Sequence, residues 1–192
     1  MSLEIFLNKF IAIGILVIHI ILGLSLLAFI WYKYVKKSGK KLPTFIYNFK
    51  NFVKYNSLLF AFFLTLGATI GSLIYSEIIG LSVCDLCWYQ RALIYPQVII
   101  LGVALLKKNK EIFDYIVGLN VIGIIIGGYQ YYMQMTNYSA PCPVSGSINC
   151  FTKDVLEFGY ITIPIMSLTV FVVVMILTYI AKNGRNVETA NL

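Results

Sequence analysis

Charge is what this sequence most lacks. Asp, Glu, Lys and Arg make up 12% of its 192 residues, about half the share found in a soluble domain, which is too little polar surface to cover a water-soluble globule. Histidine occurs once, at His19. The five prolines and 14 glycines are too few for a collagen-like or low-complexity chain, and four cysteines are too few for a small disulfide scaffold. What the chain has instead is 59% hydrophobic and 15% aromatic residues. With a mean hydropathy of +0.83, lipid must solvate most of its outside. Fifteen Lys and Arg against eight Asp and Glu give a formal charge of +7. In a soluble protein that excess would point to nucleic acid. Here the basic residues sit between apolar runs and read as loop determinants, so no nucleic-acid partner is expected.

Five stretches without Asp, Glu, Lys or Arg are candidate membrane spans: Phe10 to Tyr32, Tyr55 to Ser76, Ala92 to Leu106, Tyr115 to about Met135, and Phe158 to Ala181. The third is short, but a helix beginning near Trp88 lengthens it and places Arg91 in its first turn, within snorkelling reach of the interface. The fold expected is therefore all-α and integral to the membrane. Lys33, Lys36, Lys37, Lys40, Lys41, Lys50 and Lys54 fill the first loop without an acid, Lys107, Lys108 and Lys110 follow the third span, and Lys182 and Arg185 follow the fifth. The positive-inside rule puts all three clusters in the cytoplasm. The N-terminus then lies outside, the C-terminus inside, and residues 77 to 90 and 136 to 157 face the external space. Span one is read as retained, because its start MSLEIFLNKF lacks the basic n-region of a signal peptide and its apolar run is too long for one. In residues 44 to 56, Phe45, Phe49, Phe52 and Val53 recur at helical spacing, as in a helix on the inner surface or an inward extension of span two.

All four cysteines fall in the two external loops: Cys84 and Cys87 in V-C-D-L-C-W, Cys142 and Cys150 in P-C-P-V-S-G-S-I-N-C. An even number on the oxidising face points to disulfides. A C-x-x-C bond is a poor staple but suits a bond made and broken in turnover, since the second thiol can resolve a mixed disulfide. Zinc is the competing use of two cysteine pairs. The oxidising compartment argues against it, as does a lone histidine inside span one, so no metal is expected. Arg91 follows Cys87 by four residues. A helix starting near Leu86 places the cation one turn from the sulfur, where helix N-terminus and guanidinium both favour a thiolate.

The run C-D-L-C-W-Y-Q-R, Cys84 to Arg91, followed by an apolar helix, closely resembles the DsbB-type disulfide bond formation proteins, particularly the short BdbC-like branch. The external pair Cys142 and Cys150, and the run G-Y-I-T-I-P-I-M-S-L from Gly159 to Leu168, extend the likeness over residues 55 to 181. The resemblance implies a four-helix transmembrane bundle, here with one additional N-terminal transmembrane helix. It implies reoxidation of a DsbA-like, thioredoxin-fold thiol oxidase outside a bacterial plasma membrane, with two electrons passed to a membrane quinone, ubiquinone or menaquinone, and no flavin. By the same likeness, Cys84 and Cys87 are the quinone-linked pair, Cys87 lies nearest the quinone, and Arg91 partners quinone and thiolate. Cys142 would form the mixed disulfide with the partner, and Cys150 would exchange with Cys84. Seven residues separate Cys142 from Cys150, fewer than in the enterobacterial type. A strongly oxidising partner is reoxidised only by something more oxidising still, which favours a quinone over a glutathione-type couple. The chain is thus divided into residues 1–54, a helix and basic loop; residues 55–181, the oxidoreductase bundle; and residues 182–192, a cytoplasmic tail.

Other features take plainer readings. Gly67/Gly71 and Gly123/Gly127 are G-x-x-x-G pairs for close helix packing, and His19 is read as packing or an interhelical hydrogen bond. Tyr129, Tyr131 and Tyr132 with Gln130 and Gln134 read first as an interface belt, with the lining of a quinone pocket as the alternative, since such pockets are apolar and aromatic with few polar groups. Pro141 and Pro143 favour an extended loop around Cys142, and Pro164 fits the start of a helix. Two rival classes exist. A vitamin K epoxide reductase-like enzyme shares the bundle and quinone, but its loop pair precedes its C-x-x-C. A non-enzymatic membrane protein with two structural disulfides would lose stability rather than turnover when Cys87 is replaced. If Arg91 serves quinone and thiolate, Arg91→Met slows quinone reduction; an unchanged rate removes Arg91 from the site.

Overall fold

The computed structural model describes residues 2–37, 44–81, 83–107, 112–136 and 155–189. Five α-helices account for most of them: α1 (Ser2–Lys37), α2 (Thr44–Leu73), α3 (Asp85–Lys107), α4 (Ile112–Thr136) and α5 (Ile163–Thr189), with a π-helical turn, Ile74–Ile78, prolonging α2. Each contains a segment long and apolar enough to cross a membrane: Ile5–Ala28, Asn51–Ile78, Asp85–Lys107, Ile112–Thr136 and Ile163–Lys182. Helices satisfy their own backbone groups, which hydrocarbon cannot do, so this is the form an apolar chain takes in a bilayer. Among the described residues the only β-pairing is one antiparallel bridge, Glu157 with Ile161. The protein is an all-α, multi-pass membrane bundle. Residues 44–56 form part of α2 itself, so the amphipathic stretch is a continuation of the second span rather than a separate surface helix.

The chain divides into two compact units, Met1–Asn56 and Ser57–Leu192. In the first, α1 exposes Phe6, Phe10, Ile13, Leu24, Leu26 and Leu27, the surface of a helix solvated by lipid. In the second, α4 packs against both α3 and α5. Its core joins Leu58 and Ala61 of α2, Ile94, Leu101 and Ala104 of α3, Phe113 and Ile116 of α4, and Val170, Phe171, Val174 and Ala181 of α5. The buried stripe of α4 includes Ile116, Asn120, Gly123, Gly127 and Gln130, spaced three and four apart as one face of a helix requires. At Gly123 the absence of a side chain is obligatory: a Cβ there would lie 2.5 Å from the Phe171 ring. Gly127 faces Leu168, 3.6 Å from where its Cβ would stand. The Gly67/Gly71 pair behaves differently, since a Cβ at either position would meet no atom within 4 Å; close helix contact belongs to the α4 pair.

Several polar groups inside this unit pair with one another, which lowers the cost of burying them in an apolar medium. Asn120 Nδ2 donates to Gln97 Oε1 (3.1 Å) and to the Ile116 carbonyl (2.7 Å), and Gln97 Nε2 donates to the Leu93 carbonyl (3.1 Å). Near the start of α4, Lys182 reaches Asp114 at 2.5 Å, tying α5 to α4.

The fifth span begins later than its apolar run. Phe158 (φ 52°) and Gly159 (φ 78°) take left-handed conformations, and Glu157 and Ile161 exchange N–H to carbonyl bonds of 2.9 Å in both directions. That closed turn occupies residues 157–161, and α5 starts only at Ile163. Pro164 is then its second residue, where the missing N–H has no intrahelical acceptor to lose. Gly123→Ala should destabilise the bundle by about 2 kcal/mol through overpacking against Phe171. Gly118→Ala, whose Cβ meets nothing within 4 Å, should be neutral. Thermal unfolding of both variants in detergent checks this.

Candidate redox site

Cys84 immediately precedes α3, and its carbonyl accepts the first helical bond, from Trp88 N at 3.0 Å, so it occupies the N-cap position. Cys87, three residues on, falls within the first turn on the same side of the helix. Both cysteines are free thiols, with their sulfurs 2.8 Å apart. Cys84 is 6% exposed and Cys87 is half-buried, packed with Leu86 of α3 and Ile126 of α4. The N-terminus of α3 turns its unpaired N–H groups and the positive end of its dipole toward both sulfurs.

Arg91 lies one turn further along α3. Its Nη2 donates to the Ser72 carbonyl at 3.0 Å, and its guanidinium stands over the Trp88 ring, 5.4 Å from the centroid. Tyr95 donates from its hydroxyl to Ser72 Oγ at 3.3 Å. Ser72 sits directly before the end of α2, where the helix relaxes into the π turn, a distortion found disproportionately at functional sites. The cation is thereby held at the same end of α3 as the thiols.

Opposite the thiols stands a chain of side chains drawn from three helices. Gln130 of α4 donates from Nε2 to Cys84 Sγ (3.3 Å) and to Cys87 Sγ (3.4 Å). Its Oε1 accepts from Gln90 Nε2 of α3 at 2.6 Å, and Gln90 Oε1 accepts in turn from the Ser167 hydroxyl of α5. Gln90 and Gln130 are both buried.

The structure thus brings together Cys84, Cys87 and Arg91 of the residues singled out in the sequence. Cys142 and Cys150, with Pro141 and Pro143, lie outside the described residues. Gln90 and Ser167 are site neighbours that the sequence reading missed, and Gln130, for which an interface belt is the first reading and a pocket lining the second, stands beside both thiols. Gln130 and Gln134 were assigned to an aromatic belt, yet both are buried, while Tyr129 and Tyr132 are the exposed members of that cluster. The signal was available: Gln130 stands three residues beyond Gly127, on the helix face that Gly123 and Gly127 define. Among the described residues no cluster of three or more His, Cys, Asp or Glu side chains could hold a metal.

Fold and site define a class, a polytopic helical membrane protein with a vicinal dithiol at the mouth of one helix. The family model for the disulfide bond formation protein DsbB matches residues 54–181. The SPbeta prophage-derived disulfide bond formation protein B of Bacillus subtilis is 41% identical over 116 residues, 60% of this chain and 78% of that protein. A "Probable disulfide formation protein C 1" of Bacillus cereus is 36% identical over 119 residues, covering 62% and 86% of the two chains. A "Probable disulfide formation protein" of Coxiella burnetii is 35% identical over 141 residues, covering 72% and 96%. No solved structure matches the chain significantly. The chain belongs to the DsbB family of disulfide-forming membrane proteins. In the reduced protein, the exposure difference between the thiols makes iodoacetamide modify Cys87 on the order of 10-fold faster than Cys84, which mass spectrometry of timed samples checks.

Proposed function

We propose that this protein reoxidises a DsbA-like, thioredoxin-fold thiol oxidase outside the plasma membrane and delivers the two electrons to a membrane quinone. The observation that carries the reading is the Cys84–Cys87 pair at the N-terminus of α3, with Arg91 one turn away. Family membership over residues 54–181 supports it. The overall reaction balances as partner dithiol plus quinone giving partner disulfide plus quinol, two electrons and two protons moving together. The topology proposed is N-terminus outside and C-terminus cytoplasmic, with both cysteine loops external and residues 55–181 as the oxidoreductase bundle.

Each residue then has a stated task. Cys142 takes the mixed disulfide with the partner, and the Cys142–Cys150 pair so reduced is reoxidised when Cys150 exchanges with Cys84. The Cys84–Cys87 bond is broken in that exchange, leaving the electron pair on Cys87. Burial of Cys84 among Leu86, Ile126 and Gln130 keeps solvent thiols from it, while the partly exposed Cys87 is the sulfur that gives up the electrons.

The residues present suit a quinone. Trp88 is 57% exposed, offering an aromatic face beside Cys87. Of the five N–H donors on Arg91, the described residues engage one, at the Ser72 carbonyl, which leaves others for a carbonyl oxygen. When bound, a quinone supplies a two-electron, two-proton acceptor that can diffuse in the bilayer. Arg91 would orient it and offset negative charge developing on it.

The test is quinone reduction by purified protein supplied with a reduced thioredoxin-like partner, wild type against Cys87→Ser. Turnover abolished in a variant that still folds is the expected result. Absence of turnover in the wild type, across several partners and both quinone types, overturns the proposal in favour of two structural disulfides.

A further inference from the structure

Gln130 is 1% exposed, so its carboxamide must find all its partners inside the protein. Its Oε1 accepts from Gln90 at 2.6 Å, and this fixes which way the amide faces. The Nε2 end therefore points at the thiols, 3.3 Å from Cys84 Sγ and 3.4 Å from Cys87 Sγ. One step further out stands the Ser167 hydroxyl, whose single proton is shared between Gln90 Oε1 and the Pro164 carbonyl at 2.9 Å, a donor that favours the oxygen end of Gln90 on that side. Three helices thus contribute to aiming one amide. A glutamine needed only to join α3 to α4 would have no reason to stand equidistant from two sulfurs.

From this geometry we propose that Gln130 is a positioning residue for the redox pair, an amide donor that stabilises negative charge on whichever of the two sulfurs bears it, with Gln90 and Ser167 holding it in that orientation. The inference rests on the assignment of Cys84 and Cys87 as the pair that turns over. When an incoming thiolate opens their disulfide it forms a new bond to Cys84, and the electrons of the broken bond remain on Cys87. That charge appears 3.4 Å from Gln130 Nε2. When Cys84 is released again, the same amide is 3.3 Å from it. The donor serves both halves of the cycle without moving, as preorganised stabilisation requires. Arg91 acts differently: its described contacts are the Ser72 carbonyl and the Trp88 ring, so it supplies field rather than a hydrogen bond to sulfur.

The experiment uses full-length protein carrying Cys142→Ser and Cys150→Ser, so that only the Cys84–Cys87 pair titrates, in detergent without quinone or partner. Two quantities are read: the alkylation rate of the reduced pair at neutral pH, and its equilibrium with a dithiothreitol redox buffer. Gln130→Met keeps length and packing but removes the donor. It should slow alkylation on the order of 10-fold, the effect of losing a hydrogen bond to a charged group. It should also move the redox equilibrium about 10-fold toward the disulfide, which is about 30 mV for two electrons. Ser167→Ala, which loosens only the orientation of Gln90, should shift both in the same direction by about threefold, less than loss of the donor itself.

A purely structural role predicts the opposite sign, because a loosened site exposes the sulfurs and speeds alkylation. Faster alkylation, or rates and equilibria within about twofold of the parent, overturns the proposal. If Gln130→Met does not fold, Ser167→Ala decides by the same signs. Neither readout involves quinone, so failure of quinone reduction would count against the proposed function alone, and unchanged thiol chemistry against this inference alone.

Discussion

The close approach of α4 and α5 at Gly123 sets the register for the rest of the bundle. Phe171 occupies the space a Cβ would need, and one helical turn before Phe171 stands Ser167. One turn after Gly123 stands Gly127, with Leu168 against it, and Gln130 follows three residues later. A thicker residue at Gly123 would push α5 outward and take the Ser167 hydroxyl away from Gln90. Van der Waals contact is the main attraction between helices in lipid, so a missing methyl group has more leverage here than it would in a water-driven core.

Much of this was legible in the chain. The five charge-free runs marked five helices because a bilayer tolerates little else, and C-D-L-C-W-Y-Q-R located the dithiol because its spacing matches a helix start. The limits of legibility were equally physical. Phe158 to Thr162 are apolar or neutral and read as span, yet Phe158 and Gly159 take positive φ and close a turn; hydropathy reports the medium and is blind to backbone handedness. Gln130 and Gln134 were grouped with their tyrosine neighbours because adjacent residues look alike in a composition window. Helical phase separates them, Tyr129 and Tyr132 facing out and the glutamines in. Tracing phase from Gly123 through Gly127 to Gln130 recovers the inward face, and on α3 the same step from Leu86 leads to Gln90.

The thiols sit where two kinds of solvation meet. Cys84 is enclosed by protein and Cys87 is partly open beside an exposed Trp88, so the two sulfurs of one short motif face different surroundings. The polar atoms around them come almost entirely from uncharged groups: amides, a hydroxyl and the helix's own N–H groups. Neutral dipoles can be buried at far lower cost than ions, which lets the bundle carry a charge-stabilising environment within its apolar core.

The anchoring of Arg91 has a corollary for mutational drift. Its hydrogen-bond acceptor is the main-chain oxygen of Ser72, which every amino acid at that position would supply. Substitution at position 72 can therefore wander, as far as this bond is concerned, without untethering the guanidinium, whereas a carboxylate anchor would be lost in a single change. A carbonyl also bears no formal charge, and neither does the Trp88 ring. The arginine is thus immobilised by groups that leave its positive charge uncancelled, a combination that an acidic partner at the same distance would forfeit.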